Sequence, residues 1–218
     1  MNMASHKISP ELLDELKRLA LLRDDEIDTS DIPETLDWSG AERGRFATRR
    51  ISHRSYDVRA IANWFLDHQP SSERPFSNLA LNKLVYLAVE RSLVERHVLL
   101  TPARVEAWSH GPVFREVYQA FKDFGDRAIT TRAKRFSVDQ RQMVEAYEKF
   151  SSEDEEFLLK ILRRFGERTA AQLRALSHVT GGPWYTVWHY RGHSNPGMEI
   201  TTAIILQHAP DWRDSDEA

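Results

Sequence analysis

His110 stands between Trp108 and a Gly111-Pro112 corner in the run EAWSHGPVFREVY, where an imidazole could act as a general base, a metal ligand or a structural polar group. A helical metal site needs His, Asp or Glu at i, i+3 or i, i+4 facing one cavity, as in H-E-x-x-H, and no such motif occurs. His189 and His193 are four apart, but Gly192 lies between them and no third ligand is near in sequence. A nucleophilic hydrolase would want G-x-S-x-G, and a phosphate loop would want clustered glycines before a helix. Neither is present: Gly181-Gly182-Pro183 reads as a turn that starts the helix PWYTVW. The carboxylates of EDEE at 153–156 suit a helix N-terminus, where negative charge meets the positive end of the dipole, better than acid-base work. With no cysteine there is no thiolate and no cysteine-based zinc site. The expectation is a chain with no catalytic residue, no metal and no cofactor.

Nucleic acid is the next chemistry to weigh. Arg43 to Arg54 and RAITTRAKRF interleave arginines with Phe46 and Phe136, which could touch phosphate and stack. Solvated loops of alternating charge look the same, acidic segments flank both stretches, and the net charge is -3. Nucleic acid is therefore not expected as a direct ligand. Charged residues make up 29% of the chain and interrupt every apolar run well short of a bilayer span, so a membrane partner is not expected either. The N-terminus lacks the unbroken apolar stretch of a signal peptide, and the missing cysteines suit a reducing compartment, so the expected location is the cytoplasm.

The elements that must position these residues are mainly helical. Ser9-Pro10-Glu11 opens an amphipathic helix over about 10–22, followed by a segment that is acidic to Asp37 and basic from Arg43, with no sustained period. From Ser55, a plausible N-cap, the spacing of Val58, Ile61, Ala62, Phe65 and Leu66 marks the first helix of a globular domain. Ser77 caps NLALNKLVYLAVERSLVERH, whose apolar spacing marks a central buried helix. VLLTPARVEAW suits one short strand before the Gly111-Pro112 corner, and Pro112 pre-sets the first turn of VFREVYQAFKDF, which Gly125 closes. Further helices are expected over about 138–149, 153–165 and 170–177, at PWYTVWH, and after Thr201. The fold class expected is mainly α, a multi-helix single domain with a minor β element. It divides as an extension over 1–50, a domain over 51–210 and an acidic tail over 211–218.

The succession DVRAIANWFLD, LNKLVYLAVERSLVERH, VEAWSHGPVFREVYQAFKDFG, LRALSHVTGGPWYTVW and EITTAIILQHA resembles the Panacea domain, also called the SocA-like antitoxin domain. Its marks are L-x-K-L-x-Y (Leu81, Lys83, Leu84, Tyr86), a corner E-A-W-x-x-G-P-V (Glu106, Trp108, His110, Gly111, Pro112, Val113) and a late S/T-H-x-x-x-P-W (His178, Pro183, Trp184). The late element carries one extra residue before its proline here, and RSLVERHVLLTP departs from the family's smaller and more aromatic residues.

The resemblance implies an antitoxin, a non-enzymatic protein that neutralises a cognate protein toxin by direct binding. The alternatives are an adaptor that hands the toxin to a protease, and a DNA-binding regulator. It also implies that the three motifs are structural: His110 caps or bridges buried backbone groups while Trp108 fills the core, and Trp184 anchors by packing. The extension is then the toxin-specificity segment, since DDEIDTSDIPETLDWSGAERGRF looks like acidic segments of other small antitoxins. Ile27, Ile32, Leu36, Trp38, Arg43, Arg45 and Phe46 are its candidate partner-binding residues, because isolated apolar side chains among charges can steer by charge and then anchor in a partner's pockets.

Overall fold

Local capping signals set where the helices begin in the computed structural model, which describes residues 50–70 and 74–210 together with Asp14, Lys17 and Arg18. The chain divides into two units, residues 1–47 and residues 48–218. In the first, Asp14, Lys17 and Arg18 are helical, and the other residues of that unit, like the tail over 211–218, lie outside the described residues.

The second unit begins with strand β1 (Ser52–His53) and helix α1 (Val58–Asp67). Asp57, not Ser55, is the N-cap of α1: its carboxylate accepts from the Arg59 N–H at 2.9 Å and from the Arg59 guanidinium at 2.8 Å. Helix α2 (Asn78–Arg91) starts where Ser77 Oγ accepts from the Ala80 N–H. Its apolar side chains Leu81, Leu84, Val85 and Ala88 are fully buried. It is the centre of the unit, packed against α1, against the later helices Arg115–Phe121, Ser152–Phe165 and Ala170–Ser177, and against the strand Gly111–Phe114. It was expected to run on to His97, but it gives way to a π-helical turn over Ser92–Arg96 that His97 ends in the left-handed region.

Strand β2 (Val98–Leu99) pairs in parallel with β1. Strands β3 (Val105–Trp108) and β4 (Gly111–Phe114) form an antiparallel hairpin whose outer edge on β3 receives β7 (Met198–Glu199). Pro112 is thus a strand residue, and helix α3 (Arg115–Phe121) starts three residues later than the proline suggested. A 3-10 turn then ends at Gly125, at φ 55°. Helix α4 (Ser152–Phe165) carries Glu153, Asp154 and Glu155 in its first turn and Arg163 and Arg164 in its last, which suits its dipole. Helices α5 (Ala170–Ser177), α6 (Pro183–Trp188) and α7 (Thr202–His208) complete the unit, capped by Thr169, by Pro183 at the first turn, and by Thr201.

One expected helix is a hairpin instead. Strands β5 (Lys134–Ser137) and β6 (Gln142–Glu145) pair with Phe136 opposite Met143, across the segment read as a helix over 138–149. The inward residues there are Val144 and Ala146, two apart, which is the period of a strand and leaves no helical stripe to bury. Asn63 of α1 holds the base of the hairpin. Its amide donates to the carbonyls of Ala133 at 3.0 Å and Ala146 at 2.8 Å, and its oxygen accepts from the Ala133 N–H at 2.8 Å. Among the described residues there are seven α-helices and three small sheets, so the unit is mainly α with more β structure than a single strand. Among them, no helix is long and apolar enough to cross a membrane.

Candidate functional site

Three stretches far apart in sequence meet at Gly111. The ammonium of Lys83, on α2 and 0% exposed, donates to the Pro112 carbonyl at 2.8 Å. Gly111 has φ +103°, and a Cβ there would stand 2.6 Å from both Lys83 Nζ and His178 Cε1 and 3.0 Å from Ser177 Oγ. Only glycine meets both demands, and it lets α2, the β3–β4 corner and the end of α5 come together. His178 donates from Nδ1 to the Arg174 carbonyl at 2.7 Å, and its ring lies 3.9 Å from that of Trp184. Trp184 in turn donates from its indole to the Trp108 carbonyl at 2.9 Å. The resemblance motifs L-x-K-L-x-Y, E-A-W-x-x-G-P-V and S/T-H-x-x-x-P-W are thus one junction.

The electrostatics are those of a clamp. Burial pushes the Lys83 ammonium well below the ordinary lysine range, and the charge of Arg174 adds to this. Burial also lowers the His178 imidazole; the Arg174 carbonyl opposes that shift, and the charges of Lys83 and Arg174 reinforce it. At the other end of the corner, burial disfavours the Glu106 carboxylate. Hydrogen bonds from Arg115, at 3.0 and 2.6 Å, and from the Trp108 indole, at 2.9 Å, outweigh the burial and hold its pKa below the usual range. Leu81, Leu84 and Val113 are buried beside these groups, as is Pro183 before Trp184. Tyr86 is buried and donates to Glu90 at 3.1 Å.

His110 departs from expectation. It is exposed at the tip of the hairpin turn, and among the described residues it makes no hydrogen bond, so it neither caps nor bridges buried backbone. A two-residue turn between Trp108 and Gly111 points outward, and the backbone carbonyls of Pro112 and Trp108 are held instead by Lys83 and Trp184. Trp108 is half-buried rather than a core residue. It sits 4.9 Å from the Tyr118 ring and lines an open groove of about 360 Å³ with Arg115, Trp188 and Pro196. The extension residues Ile27, Ile32, Leu36, Trp38, Arg43, Arg45 and Phe46 lie outside the described residues.

The burial and the partners of two acids are beyond the sequence reading, which places Asp154 only as a helix N-terminal charge. The Asp154 side chain, 0% exposed, accepts from Arg54 at 2.8 Å, Tyr56 at 2.8 Å, Arg96 at 2.6 Å and Ser151 at 2.7 Å. Burial works against its charge, but these hydrogen bonds win and bring its pKa to about 2. Ser151 at the N-cap and Asp154 three residues on have capping-box spacing, which was the available signal. Arg54, weighed as a phosphate contact, is committed to this network. Glu90 is the second: burial pushes its pKa up to about 7, opposed by the charge of Arg91 and the hydrogen bond from Tyr86.

A family model described as Antitoxin SocA-like, Panacea domain, matches residues 81–185. Antitoxin SocA of Caulobacter vibrioides (strain NA1000 / CB15N) is 37% identical over 152 residues, which cover 69% of this chain and 81% of that protein. No solved structure matches the chain.

Proposed function

This chain belongs to the SocA-like Panacea domain family, and from that premise we propose that it is an antitoxin that neutralises a cognate protein toxin by binding it. The observation that carries the reading is a family match running from Leu81 to Tyr185, which takes in all three motifs of the Gly111 junction. A non-enzymatic role is supported by how the junction's polar groups are used. Lys83, Glu106 and Trp184 each hold a protein partner within hydrogen-bond distance and brace the corner. A scaffold of this kind presents surfaces, and its partner specificity then resides in what it displays.

The extension over residues 1–50 is, on this reading, a specificity segment, with Ile32 and Trp38 as its first anchors. The test is titration of the product of the adjacent reading frame with the purified chain. Toxic activity is expected to fall to zero near a fixed molar ratio. Progressive destruction or modification of toxin by sub-stoichiometric chain would overturn the binding mechanism. Loss that requires an added protease would replace occlusion by an adaptor role. Deletion of residues 1–50 is expected to leave a cooperatively melting helical domain with most toxin affinity gone, and undiminished affinity would refute the role of the extension.

A further inference from the structure

Between α1, the β5–β6 hairpin and the start of α4 lies a cavity of about 240 Å³, lined in part by Trp64, His68, Tyr147 and Phe150. It is smaller than the sites that hold drug-sized ligands, and it is of a size to take one long side chain. Trp64 and His68 stack 4.0 Å apart on one wall, and Tyr147 is 73% exposed at the rim. Four carboxylates line the same cavity: Asp67, Glu145, Glu148 and Glu155. Asp67 is paired with Arg132 and Glu148 with Arg135, whereas Glu145 and Glu155 form no ion pair among the described residues. Lys134 is opposite Glu145 in the hairpin register without forming an ion pair with it.

An apolar shelf lies on the outer face of the same hairpin. Phe136 and Met143 face each other across β5 and β6 and are 60% and 56% exposed. Glu145 lies two residues beyond Met143 and so on the same face of β6. Aromatic walls with two uncompensated carboxylates attract a cation that offers both a flat face and several donors, which is the description of a guanidinium. We propose that this cavity is the docking pocket for an arginine side chain of the partner protein, with the Phe136–Met143 shelf covered by apolar residues beside that arginine. The partner's identity as a toxin rests on the antitoxin reading; the pocket's preference for a guanidinium does not.

Two measurements separate the claims. The full chain, labelled with nitrogen-15, is titrated with N-acetyl-arginine methylamide and, for comparison, with the norleucine analogue. The arginine probe is expected to give saturable shifts at the Trp64 indole and the Tyr147 amide that vanish in the Glu145→Gln, Glu155→Gln double variant, and the norleucine probe to give none. No shift at those sites, or shifts that survive in the double variant, overturns the pocket. Next, the product of the adjacent reading frame is bound to the wild type, to a Glu145→Lys, Glu155→Lys variant and to Glu167→Lys as a charge control. All three acids are exposed, and because Glu155→Lys also reverses a first-turn charge of α4 and Glu145→Lys faces Lys134, a thermal melt of each variant accompanies the binding measurement to confirm that the domain is folded. The expected result is at least tenfold weaker binding by the double reversal alone. Equal binding by all three overturns the proposal while leaving the antitoxin reading intact. Failure of the wild type itself to bind sinks the antitoxin reading, and the arginine titration then decides the pocket by itself.

Discussion

Replacing Asp154 by Asn tests whether one buried carboxylate ties the start of the domain to the start of α4. The group is held at a pKa of about 2 against an ordinary 3.8. A difference of that size corresponds to about 2.4 kcal/mol of stability at neutral pH, at 1.36 kcal/mol for each pH unit. The carboxylate is fully buried, whereas Arg54 and Arg96 are 31% and 15% exposed, so solvent screens the arginine side of the network. Asn keeps the shape but leaves Arg54 without its carboxylate and Arg96 with only the exposed Glu153, so a loss of roughly 2–4 kcal/mol is expected. In a domain of this size that lowers the melting temperature by about 4–16 °C. The pH dependence has a definite sign. Because the folded pKa is depressed, the contribution is complete above the unfolded value and is lost as pH falls through the folded one. About half of it remains at pH 3. Thermal unfolding followed by circular dichroism at pH 7 and pH 3 is the assay. An Asn variant as stable as the wild type at pH 7, or a gap that does not narrow at pH 3, would refute the argument.

Three further outcomes are expected. Glu90 has a folded pKa of about 7 against an ordinary 4.5, so the folded state holds its proton longer and stability falls as pH rises through that window. Glu90→Gln should improve by on the order of 2–3 kcal/mol relative to wild type between pH 5 and pH 8, and parallel denaturation curves at the two pH values would contradict this. Gly111→Ala combines a left-handed φ with clashes against Lys83 and His178, and roughly 3 kcal/mol or more of destabilisation is expected. Normal expression and an unchanged melt of that variant would show that the junction yields easily. His110→Ala should change stability by no more than about 0.5 kcal/mol in urea titration, because the side chain is exposed and makes no hydrogen bond among the described residues. An unaltered melt accompanied by loss of toxin neutralisation would instead make His110 a contact residue.

The sequence by itself determined the central helix, its Ser77 cap, the Gly125 stop, the acidic start of α4 and the order of the three motifs. Those signals act between residues one to four apart, where side-chain spacing and orphaned N–H groups already decide the outcome. Only the tertiary structure decided which polar groups meet. Lys83 finds its acceptor 29 residues on, and Asp154 finds Arg54 100 residues back. Nothing local marks either pairing, because a buried charge takes its partner from whatever element folds against it. The hairpin at 134–145 was hidden for a related reason. Its inward residues are too few to display their two-residue period, and the Asn63 side chain on α1, far off in sequence, adds bonds that hold the base of the two strands. His110 shows the converse: its neighbours in sequence suggest a buried place, but a two-residue turn carries it outward and leaves the backbone of Gly111 and Pro112 to make the contact with Lys83.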